Sequence, residues 1–247
     1  MSRFIIVSGP SCVGKGPLYN ALRRFYPDLA GRLTQVILYN SRDPRPGERE
    51  GVNYYFRPRA EIEELAKNPG FASADVRGDL HAIEIALIGK IIEEGMDAFF
   101  EGNPFIANKL GEREELRKIP TLKVFLSPLS KEEVMYLKDP AQGAILEKLL
   151  TDIMRRKLLR RTKRQKANLS LKDLENIERR AASAMVELRE AWKYDYVIPN
   201  HDGEDSENWD AFYYPVGDAR RALLSFAALL TGESPAGVEQ WDKDLVP

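Results

Sequence analysis

The 247-residue chain holds a single cysteine, Cys12, so no disulfide can form within it, which fits a reducing cytosol. It has no charge bias: 37 Lys and Arg against 38 Asp and Glu leave a net charge of -1, and no global field favours nucleic acid or an anionic membrane. No hydrophobic run approaches the length of a membrane span. Met1-Ser2-Arg3 leads directly into an apolar segment, so neither a membrane segment nor a signal peptide is expected. Internal repeats and low-complexity segments are also missing. The absences leave a cytoplasmic protein, long enough for one α/β domain with insertions or for two small domains, with its oligomeric state open.

What is present starts at the N-terminus. Phe4-Ile5-Ile6-Val7-Ser8 has the apolar continuity of a strand buried on both faces. Gly9-Pro10-Ser11-Cys12-Val13-Gly14-Lys15-Gly16 follows, a loop of G-x-x-x-x-G-K form, and then an amphipathic helix start. Such a loop turns successive backbone N–H groups toward one point, where a chain of phosphates can sit. The helix dipole and the Lys15 charge add to the attraction. Residues 9–16 are therefore the expected seat of a nucleoside triphosphate. Cys12 contributes its backbone N–H rather than its thiol. Gly16 and Pro17 stand where hydroxyl residues commonly follow the lysine, which removes one backbone donor and two hydroxyls near the phosphates. Proline itself is tolerated in a first helical turn.

Further along, apolar periodicity predicts helices over 18–26, 59–68, 84–94 and 218–230, and strands over 71–76, 97–100, 122–126 and 194–198. Short strands around a proline-fixed basic loop are expected over 33–58. Residues 127–182 read as charged and mostly helical. Within them, Arg155 to Lys166 carries eight basic residues and no acid, which suits either a solvated helix face or a lid that brings guanidinium groups to a triphosphate. The residues after Thr231 read as a frayed tail. Alternating strands and helices give an α/β fold: three layers around a parallel central sheet, with ligands at the carboxyl ends of the strands. The expected division is a discontinuous core (1–32, 84–126, 183–232), a β-containing insertion (33–83), a charged helical insertion (127–182) and a tail (233–247).

Three stretches resemble the guanylate kinase family. They are the phosphate loop, the segment Arg42-Asp43-Pro44-Arg45-Pro46-Gly47-Glu48-Arg49-Glu50-Gly51-Val52-Asn53-Tyr54-Tyr55-Phe56, and Tyr194-Asp195-Tyr196-Val197-Ile198 with Asn200 and Asp202. The resemblance implies a P-loop fold with a small inserted acceptor domain and a lid. It implies transfer of the ATP γ-phosphate, with Mg2+, to GMP or dGMP. It also implies that Arg42, Arg45 and Tyr54 hold the acceptor phosphate. Lys15 would stabilise the transferred group, Arg180 with one of Arg160, Arg161 or Arg164 would reach it from the lid, and Asn200 would lie beside the donor base. Arg164 is the lid residue selected with Arg180. Two arginines fixed by neighbouring prolines make a rigid cationic fork, which supports the acceptor role on chemical grounds alone.

The departures from the family pattern cluster at the acceptor. Leu38 replaces a serine, Ser73 falls where a guanine-reading glutamate is expected, His81 replaces a tyrosine and Ile83 a hydroxyl residue. Glu101-Gly102-Asn103 replaces an Asp-x-Asp. Ser73, His81, Glu101 and Asn103 are thus candidate acceptor contacts, and Glu101 is a candidate for a water-mediated magnesium contact. Two alternatives stay open: a kinase for another nucleotide or a sugar phosphate, and a binding module of the same fold in which Pro17 reflects lost turnover.

Overall fold

The computed structural model describes residues 2–45, 47–139, 141 and 145–247. It carries two sheets, one of five strands in the order β2-β7-β1-β8-β9 and one of four in the order β4-β3-β6-β5. The strands are β1 (Phe4–Ser8), β2 (Leu33–Gln35), β3 (Leu38–Asn40), β4 (Tyr54–Phe56), β5 (Phe71–Val76), β6 (Asp79–Glu84), β7 (Asp97–Gly102), β8 (Thr121–Ser127) and β9 (Tyr196–Pro199). The chain divides into two compact units, residues 1–7 with 32–122 and residues 8–31 with 123–247.

In the first unit, β2 pairs in parallel with β7, so the smaller sheet begins at Leu38 and not at residue 33. Helix α3 (Arg59–Lys67) and helix α4 (Ile85–Glu93) lie within a residue or two of the expected ends. Ile85, Ile88 and Ile91 form the buried stripe of α4, and Gly95, at φ +82°, lets the chain turn out of the helix. Helix α5 (Pro104–Gly111) is capped by the Asn103 side chain, which accepts the Phe105 N–H at 2.9 Å.

Strands β5 and β6 form a hairpin across a two-residue turn, Arg77 (φ +62°) and Gly78 (φ +90°), the signature of a type I′ connection. That turn fixes the register: Ala72 opposite Ile83, Ser73 opposite Ala82, Ala74 opposite His81. Side chains alternate, so one face of the sheet carries Leu38, Asn40, Tyr54, Phe56, Ala72, Ala74, His81 and Ile83. The other carries Tyr39, Phe71, Ser73, Leu80 and Ala82, with Tyr39, Phe71, Leu80 and Ala82 packing on Ile62 of α3.

In the second unit, helix α1 (Lys15–Phe25) starts three residues earlier than periodicity suggested, because the phosphate loop itself turns into the first helical turn at Gly14. The short helix α2 (Pro27–Ala30) follows. Strands β8 and β9 pair in parallel from Val124↔Tyr196 to Ser127↔Pro199. Helices α6 (Lys131–Lys138) and α8 (Leu171–Ala182) each begin with a capping box, Ser130 with Glu133 and Ser170 with Asp173. Between them runs α7 (Leu146–Gln165), and α9 (Ala184–Leu188) and α10 (Gly217–Thr231) complete the unit. The C-terminal residues are not the frayed tail that composition suggested. Glu239 pairs with Val197 in both directions, at 2.7 and 2.8 Å, and Trp241 and Leu245 are buried. A tail with one large indole and one leucine to bury gains more by covering the edge of β9 than by staying in water.

Candidate functional site

The residues expected to bind the donor nucleotide lie in the second unit. Gly9 (φ +144°) and Gly14 (φ +102°) hold backbone conformations that side chains avoid, and each is tightly covered. A Cβ on Gly14 would sit 2.6 Å from Asn200 Nδ2, and one on Gly9 would collide with the Leu126 carbonyl. Pro17 falls in the first turn of α1, where the intrahelical ladder begins with Leu18 N–H donating to Gly14 O at 3.0 Å. It interrupts no bond, so nothing in the backbone supports a loop disabled by this residue.

Three cations converge on the loop. Lys15 is buried, and its Nζ donates to Gly9 O and Pro10 O, both at 2.8 Å. Arg180, buried on α8, donates from Nε to Ser11 Oγ at 3.1 Å. The Cys12 thiol is pushed up to about 12, by burial first and by the Glu204 charge second, while Arg161 and Arg180 pull the other way. A thiol so held stays protonated and serves as filler, as expected from the sequence.

The lid helix α7 presents Lys157, Arg160, Arg161 and Arg164, spaced i, i+3, i+4, i+7 on one face. All four meet the loop after β9. Lys157 Nζ donates to His201 O at 2.6 Å, Arg160 pairs with Asp205 at 2.7 Å, Arg161 with Glu204 at 2.7 Å, and Arg164 with Glu207 at 3.0 Å. Arg164, the residue selected as the second lid arginine, lies at the rim of this contact. Its partner Glu207 is 78% exposed, a rim pair, whereas Arg161 and Glu204 are each 18% exposed and act on Cys12 inside the phosphate loop. Arg161 and Arg164 share one face of α7 a turn apart, and only Arg161 acts electrostatically on Cys12.

Asn200 also differs from its expected role. It is fully buried, and its Nδ2 donates to Val13 O and to Asp202 O, both at 2.8 Å, so it braces the phosphate loop from behind. Trp209 Nε1 donates to Asp202 O and Gly203 O at 3.0 Å each, and its ring edge covers Gly14. The acidic and aromatic residues of this loop were visible in the sequence. Their match to α7 becomes evident only when acids at 204, 205 and 207 are set against basic residues at 160, 161 and 164.

The residues expected to hold the acceptor lie in the first unit. Arg42 binds Glu48 with two parallel hydrogen bonds, Nη1 to Oε2 at 2.6 Å and Nη2 to Oε1 at 2.7 Å, and stacks over the rings of Tyr54 (5.1 Å) and Phe56 (5.6 Å). The Arg45 backbone N–H donates to the same carboxylate at 2.8 Å, and the Arg45 guanidinium approaches it to 3.9 Å. Burial alone would raise the Glu48 carboxyl, but the hydrogen bonds from Arg42 and Arg45 outweigh it and hold the group below its ordinary value. Glu48 thus fixes both arginines. Sequence reasoning quoted it within the signature and gave it no role.

Tyr54 and His81 sit on the same sheet face with rings edge to face at 6.0 Å. Burial raises the Tyr54 phenol, and burial together with Arg77, Arg42 and Arg45 pushes His81 down to about 3, so its imidazole is neutral. Asn40 lies beside His81 in register. It is buried, its Oδ1 accepts the Arg42 N–H at 3.2 Å, and its Nδ2 has no hydrogen-bond partner. Glu101, near the end of β7, acts electrostatically on Tyr54. Asn103 is engaged as the α5 cap.

Ser73 does not join this group. It points to the opposite face, toward Tyr39 and Ala82, and the positions facing Ile83 and His81 across the hairpin are Ala72 and Ala74. The one-residue displacement follows from the tight Arg77-Gly78 turn, since a one-residue slip moves every side chain to the other face. Among the described residues, no group of three or more His, Cys, Asp or Glu could hold a metal ion.

The family profile described as guanylate kinase matches residues 1–158. The guanylate kinase of Synechococcus sp. (strain JA-3-3Ab) is 29% identical over 86% of this chain and 82% of its own length. That of Alkalilimnicola ehrlichii is 30% identical over 80% of each chain. Among solved structures, the guanylate kinase of Anaplasma phagocytophilum superposes with a TM-score of 0.55 at 19% identity, covering 95% of this chain and 88% of that one. That likeness concerns the fold.

Proposed function

The chain belongs to the guanylate kinase family, and we propose that it transfers the γ-phosphate of ATP to a phosphorylated acceptor, with GMP as the reference acceptor. The observation that carries this reading is the convergence of Lys15, Arg161 and Arg180 on a strained, buried phosphate loop. Phosphoryl transfer needs little covalent help from a protein. It needs in-line positioning and positive charge where the transferred group carries negative charge. Backbone N–H groups of residues 11–15 would cradle the donor phosphates, with Lys15 and Arg180 supplying fixed charge. Arg42 and Arg45, oriented by Glu48, would hold the acceptor phosphate, and the Tyr54 phenol, kept protonated by burial, would donate to it.

Gly16 and Pro17 offer no hydroxyl beside Lys15, so a magnesium ion would be held at the phosphate loop through water and by the triphosphate oxygens. Bound there, the ion would neutralise charge on the phosphates. The cytoplasm, where ATP and magnesium are plentiful, is the setting this reading implies, and no described helix is long and apolar enough to cross a membrane.

The test is ADP release from ATP with magnesium, with and without GMP. Acceptor-dependent ADP that disappears in Lys15→Ala supports the reading. ADP release indifferent to any phosphorylated acceptor would remove it.

A further inference from the structure

The segment that follows β9 holds the phosphate loop from its outer side. Asn200 Nδ2 donates to Val13 O, the Glu204 N–H donates to Cys12 O at 3.3 Å, and the Cys12 carbonyl leaves no room for a Cβ on Gly203. His201 fixes this segment to three helices of the second unit. Its Nδ1 lies 2.5 Å from Asp218 Oδ2 in the first turn of α10, and its Nε2 lies 2.9 Å from each carboxylate oxygen of Glu133 on α6. Its N–H donates to Asp218 Oδ2 at 3.2 Å, and its carbonyl accepts Lys157 Nζ of α7 at 2.6 Å.

The ring contacts dictate a charge state. A neutral imidazole carries one N–H, so its other nitrogen would turn a lone pair toward a carboxylate. Both contacts are hydrogen bonds only when the ring is an imidazolium. Burial would raise the Glu133 carboxyl, but the Ser130 N–H and His201 outweigh it and hold the group below its ordinary value, as the anion. The charged groups gathered at His201 are thus Glu133 from α6, Asp218 and its partner Arg221 from α10, and Lys157 from α7.

We propose that His201 is a positioning residue for the donor nucleotide: as an imidazolium it ties Glu133 to Asp218 and keeps Asn200 against Val13, and its deprotonation slackens the phosphate loop and weakens ATP binding. The proposal rests on the assignment of residues 9–16 to the ATP phosphates. The other histidine, His81, is held down at about 3 and adds no charge change where His201 is tested.

The experiment is calorimetric titration of the full-length protein with magnesium-ATP at about pH 6 and about pH 9, in the parent and in His201→Gln, with GMP-dependent ADP release followed alongside. Ionisation of ATP and of Lys157 is common to both proteins and cancels in the ratio of their dissociation constants. The variant should bind about fivefold more weakly at the lower pH and within about twofold at the higher, where a neutral imidazole and a glutamine each hold one carboxylate. A ratio equal at the two pH values would overturn the proposal, whether it is near one or reflects packing alone. Glu133→Gln, whose amide still serves the α6 capping box and can face either form of the ring, should bind ATP with the same loss of pH dependence. Retention of the parent's pH dependence in that variant would also overturn the proposal. The expected ratios without ADP from the parent would remove the kinase reading and leave the role of His201 standing. Absence of ATP binding by the parent would overturn the two together.

Discussion

The two phosphate grips proposed for this molecule are built on opposite principles. The donor grip is a backbone device: its shape comes from Gly9 and Gly14 in conformations other residues avoid, from Asn200 bracing Val13, and from Trp209 covering Gly14. The acceptor grip is a side-chain device, two guanidinium groups oriented by the single carboxylate of Glu48 over the aromatic floor of Tyr54 and Phe56. A backbone cradle accepts any residue in its wall that keeps the N–H groups aligned, so Cys12, Gly16 and Pro17 leave it intact. A side-chain fork depends on each member, and its surroundings can be replaced without disturbing it.

Replacing Lys15 by Ala should have the largest effect, lowering kcat about 10²–10³-fold while acceptor binding by calorimetry stays unchanged. A parallel loss of acceptor affinity would break the separation of the two grips. Next comes Arg42→Ala, which should raise the acceptor KM about 10–100-fold and leave the ATP KM within about twofold. Glu48→Gln should do the same to a smaller extent, about fivefold to tenfold, because the arginines remain but lose their shared anchor. Equal effects on both substrates would show that the fork serves the whole fold and not one ligand.

A smaller effect separates two neighbouring lid residues. Arg161→Ala should lower kcat about tenfold, whereas Arg164→Ala, whose partner is on the rim, should stay within about twofold. Steady-state kinetics of the two variants side by side decides between them.

A separate signal is in stability against pH. His81 has a folded pKa of about 3, below its ordinary 6.5, so the unfolded chain takes up a proton that the folded chain refuses. Its contribution is fully present above pH 6.5 and is lost as pH falls toward 3, at up to ~1.4 kcal/mol per pH unit. Glu48, with its depressed pKa, adds a loss only below about pH 4.5, so the window between 6.5 and 4.5 isolates the histidine. Urea melts of His81→Gln should be flatter than those of the parent across that window.

Much of the donor half could be read from the sequence, because a phosphate loop is a local motif. Strand, loop and helix are contiguous from Phe4 to Phe25, and the glycine spacing encodes the backbone directly. The acceptor fork was legible for the same reason, with its residues lying within Arg42 to Phe56. What failed were assignments that depend on register or on facing elements. Ser73 was placed one residue off because the hairpin turn sets the strand face and the turn is two residues long. Arg164 was preferred to Arg161 because the partner of α7, the acidic loop after β9, lies some forty residues away in sequence. The burial of Trp241 and Leu245 is likewise a matter of tertiary packing, which local composition does not encode.

The central claim is that two separate phosphate grips serve one transfer reaction. Its most direct test is ADP formation from magnesium-ATP titrated with GMP, in the parent chain and in Arg42→Ala. The account predicts saturable, GMP-dependent ADP formation in the parent, and in the variant the same ATP dependence with the GMP curve displaced to about 10–100-fold higher concentration. GMP curves that coincide in the two proteins, or ADP formation that ignores GMP altogether, would contradict it.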